Sequence, residues 1–338
     1  MIIRRNISLK PYNTFGIDVK AGYFVEIHSL EDLMACYRQD EALPQPFLVI
    51  GGGSNILFTA DHEGTVMKIM TKGIEKVGED DDHVWVRAKA GEVWDDVVRY
   101  CVKAGLGGLE NLSWIPGHAG GAPVQNIGAY NRELKDVFDG LEAFDMENGT
   151  MRSFGKDDCD FGYRDSIFKK SLKDRYVILS VTFKLDKIPV FNTGYGRIEE
   201  ELRTMGVSSL SLAAVREAVM RVRRSRLPDP ADLGNAGSFF KNPVVTAMVM
   251  RELKHRFPEI VAYKNANDTF KIAAGWLIEA CGWKGKRTGN VGVYPRQALV
   301  LVNYGGATGE EVMALASQIS ESVKNTFGIS LETEVNII

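Results

Sequence analysis

The first half of the chain alternates short apolar runs with glycine. "PFLVI" (46–50) runs into "GGGSNILF", "TVMKIM" follows at 65–70, and "HVWVRAKAG" (83–91) alternates apolar with polar positions. A period of two predicts a strand with one buried face, and short continuous apolar runs read as strands covered on both faces. One helix interrupts them. In "EVWDDVVRYCVKAG" (92–105) the spacing places Val93, Val97, Cys101 and Val102 on one face, with Gly105 as the helix-ending residue. "LEAFDMENGTMRSF" (141–154) reads as a hairpin turning at Asn148-Gly149, where both residues are expected to take positive φ. "RYVILSVTFKL" (175–185) reads as a buried strand.

"LSLAAVREAVMRVRRSRLPDP" (210–230) is helical until Pro228 and Pro230 stop it, and a different arrangement follows. "VTAMVMRELKHRF" (245–257) and "IAAGWLIEACG" (272–282) read as helices and "QALVLVN" (297–303) as a strand. "ATGEEVMALASQISESVKNTFG" (307–328) reads as a helix, with a Thr308/Glu311 capping box at its start and Gly328 at its end. The pattern is that of a mixed α+β protein without internal repeats.

Composition narrows this to a globular enzyme-sized protein. With 338 residues the chain is long enough for two or three domains, and a net charge of −3 with no long basic block argues against nucleic acid as a partner. The start "MIIRRNISLKPYNTFGIDVK" lacks the apolar core of an export signal, and no run approaches the ~18 apolar residues of a membrane span, so a cytoplasmic location is expected. Cys36, Cys101, Cys159 and Cys281 lie far apart and read as reduced packing residues. The five histidines are equally scattered, so no metal site is expected.

The loops carry the candidate chemistry. "GGGSNI" has Ile56 where a dinucleotide fingerprint needs its third glycine, and "GKR" (285–287) lacks the glycine and the Ser/Thr of a phosphate-binding loop. Ser238 in "GNAGSFFKNP" has Phe240 where a nucleophile elbow needs glycine. "GGGSN" (51–55) and "IPGHAGGAPVQNIGAY" (115–130) could let backbone N–H groups approach a diphosphate, although each alone also suits a tight turn. Arg164 in "FGYRDSIF" could fork onto a carboxylate or form a structural turn with Asp165. In "LETEV", Glu332 and Glu334 would share one face of a strand, which in most proteins is a solvated edge.

The order "KPYNTFGID", "GGGSNILF", "AGEVWDDVV", "GLENLSWIPG", "PVQNIGAYN", "FGYRDSIFK", "LPDP", "NAGSFFKNP", "AAGWLIEACG", "QALVLVN" and "LETEV" resembles the UDP-N-acetylenolpyruvoylglucosamine reductase family of bacterial cell-wall synthesis. The resemblance covers nearly the whole chain. It implies a two-subdomain FAD-binding module of the vanillyl-alcohol-oxidase type (1–72 and 73–226), an α+β substrate domain (227–328) and a C-terminal strand (329–338) returning to the active site.

It further implies that NADPH passes a hydride to flavin N5 and leaves, and that the enolpyruvyl ether of UDP-N-acetylglucosamine takes its place and is reduced to UDP-N-acetylmuramate. On this reading Arg164 and Glu334 bind and polarise the enolpyruvyl carboxylate, and Ser238 is a proton donor rather than a nucleophile. Gly51, Gly52, Gly53, Ser54, Asn55, Pro116, Gly117, Gln125, Asn126, Gly128 and Ala129 would hold FAD. Tyr163, Tyr195, Arg226, Lys241, Asn242 and Gln297 would meet the UDP-sugar, with Arg226 standing where the family carries lysine. "GHAGGAP" departs from the family pattern, and His118 is given no catalytic role. The chain is expected to be a monomer. Two other readings stay open at this point: a flavin oxidase on the same scaffold, and a non-catalytic nucleotide-sugar binding protein.

Overall fold

The structure, a computed structural model, describes residues 2–38, 43–265 and 267–338. The chain divides into two compact units. The first comprises Met1–Ile7, Lys20–Gly53 and His62–Ser225, and the second Ser8–Val19, Ser54–Asp61 and Arg226–Ile338.

Among the described residues the first unit contains two larger sheets and the two-stranded hairpin Gly128–Ala129/Arg132–Glu133. One larger sheet has four strands in the order Ile3–Ser8, Lys20–Ile27, His62–Ile69, Phe47–Ile50; helix α1 (Leu30–Arg38) lies between Lys20–Ile27 and Phe47–Ile50, both of which pair in parallel with His62–Ile69. The other has five strands in the order Thr150–Gly155, Phe138–Asp145, Tyr176–Asp186, His83–Lys89, Ile74–Glu79, all antiparallel. In His83–Lys89 the residues Val84, Val86 and Ala88 point into the core, as the alternation requires. Tyr176–Asp186 is the middle strand of its sheet. Val181, Phe183 and Leu185 pack in the core that holds Trp94, while Val177 and Leu179 join a core shared with Val25, Ile27 and Met67 of the other sheet.

Helix α2 (Trp94–Lys103) buries Trp94, Val97, Val98 and Cys101, so Val97 and Cys101 of the expected stripe face the core and Val93 does not. Val93 is the residue before the helix and is exposed, so the i, i+3, i+4, i+7 face starts one position later, on the tryptophan. The Trp94 indole N–H also donates to the carbonyl of Leu112 at 2.8 Å, which satisfies its one polar atom in the core. The expected Asn148-Gly149 turn is a longer loop. Asp145 pairs with Thr150, and of the two turn residues only Gly149 has positive φ, at 67°. Asp145 Oδ1 accepts the Glu147 N–H at 2.9 Å, which gives the loop a side-chain brace instead of a two-residue turn. Helices α3 (Ile198–Thr204) and α4 (Leu212–Arg226) complete this part of the chain, and Ile198, Leu202, Val215, Ala218 and Val219 form their common core.

Among its described residues the second unit is built from small sheets and three α-helices. Val244–Thr246, Thr269–Ile272 and Ala262–Lys264 form one sheet; Arg287–Thr288, Val291–Val293 and Leu301–Asn303 form another. Thr246 ends a strand and caps α5 (Ala247–Arg256), so the expected helix begins after its first two residues. Helices α6 (Ala274–Ala280) and α7 (Gly309–Phe327) follow, the latter with the Thr308/Glu311 capping box and Gly328 at φ 73°. Of "QALVLVN", only Leu301–Asn303 is strand, because Gln297 to Val300 turn back on themselves through a Val300 N–H bond to the Gln297 carbonyl. The C-terminal Asn336–Ile337 pairs in parallel with Ile56–Leu57, the strand that follows the "GGGSN" loop.

Candidate active site

In the first unit the glycines 51–53 of "GGGSN" leave their strand against the loop 116–121. A Cβ on Gly51 would come within 3.1 Å of the Cβ of His118, and one on Gly52 within 3.0 Å of the Cα of Gly117, so only glycine fits at either position without a shift. The Gly117 carbonyl accepts the Trp94 N–H at 2.9 Å and the Ala119 N–H reaches the Glu92 carbonyl at 2.8 Å, which ties the opposing loop to the start of α2. The N–H groups of Ala119, Gly120, Gly121, Ala122, Asn126 and Ile127 are all bonded to carbonyls within the chain. The loop therefore offers fewer donors to an anion than its glycines suggest. It offers close approach instead, since Gly120 lies where a Cβ would strike the Cβ of Ala90 at 2.6 Å. A mostly apolar cavity of about 170 Å³ opens beside it, lined by Ile50, Gly51, Gly120, Gly121, Val124, Phe168 and Tyr176. That volume suits one ring system of a dinucleotide rather than the whole, because pockets for entire ligands run to ~300–1,000 Å³. The buried Nδ1 of His118 finds no hydrogen-bond partner in the chain. A glycine-only cradle with an unsatisfied nitrogen in its wall fits a phosphate-bearing cofactor.

Arg164 stands at the corner of a turn closed by the Gly162 N–H bond to Asp165 O at 3.0 Å. Its φ is +55°, a conformation that costs a non-glycine residue about 1 kcal/mol or more and that persists where surrounding contacts impose it. Those contacts are visible. Ser166, fully buried, donates to Val124 O at 2.6 Å, and Asn126, also fully buried, donates to Gly162 O at 2.9 Å and to Glu133 Oε2 at 3.1 Å. With both amide hydrogens committed, the Asn126 side chain is a bracket between "PVQNIG" and the arginine turn rather than a donor to a cofactor. Arg164 itself donates to the carbonyl of Gly128 at 2.5 Å and lies 5.3 Å from the Tyr163 ring centroid.

Three residues missed by sequence reasoning belong to the same group. Tyr130 and Asn131, at φ 50° and 59°, turn the short hairpin Gly128–Ala129/Arg132–Glu133. Arg223 of α4 donates through Nε to Trp114 O at 3.1 Å, and hydrogen-bonds Tyr130. Burial, with the nearby charge of Arg164, pulls the Arg223 guanidinium below its ordinary pKa; arginine nevertheless stays charged, so two cations share this corner. The available signal was that Arg216 and Arg223, two turns apart, lie on the same side of α4. Tyr195 is exposed, in the segment preceding α3.

In the second unit Ser238 follows a left-handed Gly237 (φ 71°) whose N–H is held by Asn235 Oδ1 at 2.9 Å. The half-buried serine bridges Val300, and the buried Phe239 and Phe240 that follow it anchor the segment. "LETEV" is not a regular strand. A single bridge joins Thr333 to Phe240, with Lys241 N–H to Glu332 O at 2.9 Å and Glu334 N–H to Phe239 O at 2.8 Å on either side. Glu332 is exposed, whereas Glu334 is half-buried and bonded through its backbone to Phe239, the residue after the serine. Asn55 donates its side-chain amide to Glu334 O at 3.2 Å, and its carbonyl accepts from Asn336, so it braces the C-terminal segment. Lys241 Nζ lies 3.5 Å from Glu332 Oε2. Asn242 Oδ1 accepts the Ala274 N–H at 2.9 Å, and Gln297 Oε1 lies 3.0 Å from where a Gly275 Cβ would be, so both converge on the start of α6. Arg226 is exposed at the end of α4.

Residues 229–338 match the C-terminal domain of UDP-N-acetylenolpyruvoylglucosamine reductase, and residues 21–155 match an FAD binding domain. Along its whole length the chain is 48% identical to the UDP-N-acetylenolpyruvoylglucosamine reductase of Amoebophilus asiaticus, covering 100% of both. The chain belongs to the UDP-N-acetylenolpyruvoylglucosamine reductase family. The reductase of Pseudomonas aeruginosa is also 48% identical, over 99% of this chain and 98% of its own. The crystal structure of the reductase from Thermus caldophilus shares the fold, with a TM-score of 0.67 over 99% of each chain at 23% identity. Membership of this reductase family sets aside the oxidase and the non-catalytic binding protein.

Proposed function

We propose that this chain reduces the enolpyruvyl ether of UDP-N-acetylglucosamine to UDP-N-acetylmuramate with NADPH, through a bound FAD, in the supply of peptidoglycan precursors. The observation that carries the reading is identity of 48% to a reductase across the full length of both chains. FAD, held at the glycine cradle of residues 51–53 and the loop 116–129, supplies hydride transfer from NADPH to the terminal methylene of the enolpyruvyl group.

The chain's own residues bind, orient and move the proton. Arg164, its backbone fixed by the Ser166 and Asn126 brackets, receives the substrate carboxylate on its fork. Negative charge developing on the carbon beside that carboxylate needs donors in place beforehand, and a braced arginine supplies one. Ser238 gives its hydroxyl proton to that carbon; a hydroxyl is a weak acid, but a carbanion-like centre is a strong enough base to take it. Glu334 polarises the carboxylate either as the neutral acid or through a bridging group, since two bare carboxylates repel. Tyr163, Tyr195, Arg226, Lys241, Asn242 and Gln297 hold the UDP-sugar, with Asn242 and Gln297 acting from the start of α6. Asn55 and Asn126 serve as braces. We further read the chain as a cytoplasmic monomer; among the described residues no helix is long and apolar enough to cross a membrane.

The test is the visible spectrum of the purified protein without oxygen. Flavin absorbance should bleach with NADPH and return on addition of the enolpyruvyl UDP-sugar. Recovery with oxygen but not with the sugar would refute the proposed acceptor.

A further inference from the structure

His118 has no part in the chemistry just derived, yet it forms one wall of the glycine cradle. Its ring packs on Gly51 and Gly52: a Cβ on Gly51 would lie 3.5 Å from Nδ1, and one on Gly52 would lie 3.4 Å from Cδ2. The backbone holds it there. His118 bridges Val93, the Gly121 N–H donates to its carbonyl at 3.0 Å, and its neighbours Gly117 and Ala119 are bonded to the start of α2 and to Glu92. Nδ1 is buried without a partner, which a native interior rarely tolerates unless something outside the chain satisfies it.

The charges around the ring are lopsided. Lys68 lies across the ladder from Ile50, the residue before the cradle, and Lys72 Nζ donates to Gly91 O at 2.5 Å, with Glu92 Oε2 at 3.6 Å. Burial, reinforced by Lys72 and Lys68 and only partly opposed by Glu92, holds the imidazole neutral down to about pH 4. A cluster of this kind discourages a third cation until an anion arrives. A diphosphate carries two negative charges and would reverse the local field.

We propose that His118 is a proton-linked anchor for the diphosphate of the flavin dinucleotide, neutral in the flavin-free chain and protonated when the dianion seats on residues 51–53. The assignment rests on the FAD-dependent function. The step is one proton taken from solvent by the second ring nitrogen, with no other bond made or broken. Its sign follows from linkage. Binding raises the affinity of the ring for a proton, so flavin is held more tightly as pH falls from above the raised value towards about 4, and affinity levels off below that. The slope is at most about tenfold per pH unit.

The holoprotein is diluted at pH 8, 7, 6 and 5, and released FAD is followed by the recovery of its fluorescence. The dissociation constant should be about tenfold or more smaller at pH 5 than at pH 8, and His118→Gln should flatten that profile while still binding flavin. Calorimetric titration of flavin-depleted wild-type chain with FAD at pH 6, in buffers of different ionisation enthalpy, counts the proton without any variant. No proton uptake by the wild type, or an equal slope in His118→Gln, overturns the anchor and leaves the flavin function intact. A chain that binds no FAD at any pH overturns both.

Discussion

The backbone N–H of Glu334 donates to the carbonyl of Phe239 at 2.8 Å, locking the C-terminal segment in register beside Ser238. The Lys241 N–H bond to Glu332 O and the bridge between Phe240 and Thr333 complete a short ladder. A residue close to the end of the chain thus stands next to a serine nearly a hundred positions earlier. That adjacency is what the proposed proton-donor role of Ser238 requires if it and the proposed carboxylate-polarising Glu334 are to act on neighbouring atoms of one substrate.

Replacing Ser238 by Ala removes the proton without disturbing this ladder, whose bonds are all backbone. The expected loss in flavin reoxidation by the enolpyruvyl sugar is about 10²–10⁴-fold. Reduction of the flavin by NADPH should be unchanged. Stopped-flow absorbance measures the halves separately, and equal slowing of both would refute the assigned role.

Arg164 occupies a left-handed backbone position, at φ +55°, that its turn imposes. Glycine at the same place escapes the Cβ penalty but loses the guanidinium as completely as alanine does. Arg164→Gly should therefore be more stable than Arg164→Ala by about 1 kcal/mol in urea denaturation. On the role proposed for Arg164, both variants should lose about 10²–10³-fold in reoxidation by the sugar, because each lacks the charge proposed to meet the developing anion. Equal stability of the two would argue that the turn relaxes once the arginine is gone.

Much of the fold was legible because it follows from local chemistry. The capping box at Thr308, the stop at Gly328 and the alternation in His83–Lys89 each depend on residues within a few positions. The errors arose where distant contacts decide. The face of α2 is set by Trp94, whose indole needs the Leu112 carbonyl, and "LETEV" is irregular because it meets the segment after Ser238 at only one bridge. Around the residues to which the motifs drew attention, the sequence did not reveal which side chains act as braces. Asn126 and Asn55 are polar residues in glycine-rich loops, which reads as ligand binding; their partners, Gly162 and Glu334, lie 36 and 279 positions away and make them braces. Arg223 was missed for the converse reason. A helix rich in arginine reads as a solvated face until one of those arginines proves to be half-buried beside Arg164.

The position of Arg223 depends on a second arginine of the same helix. Arg216 forks onto Asp95 with both bonds at 2.7 Å, and Asp95 Oδ1 also accepts the Trp114 N–H at 2.6 Å. Trp114 in turn presents the carbonyl that Arg223 uses, so one carboxylate fixes α4 and the loop together. Burial alone would push the Asp95 carboxyl up, but the Arg216 fork and the Trp114 amide outweigh it and hold the group below its ordinary value. Arg216→Ala leaves that carboxylate partly buried without its counter-charge. With Asp95 a quarter exposed, the cost should be about 2 kcal/mol rather than the ~3–5 of a fully buried pair. The sign with pH is fixed: a depressed carboxylate stabilises above its unfolded value of about 4 and loses that contribution as pH falls through its lower folded value. Urea midpoints of wild type and Arg216→Ala should therefore differ clearly at pH 7 and converge as the pH is taken below about 4. A gap that stayed constant across that range would mean that the destabilisation comes from lost packing and not from the ion pair.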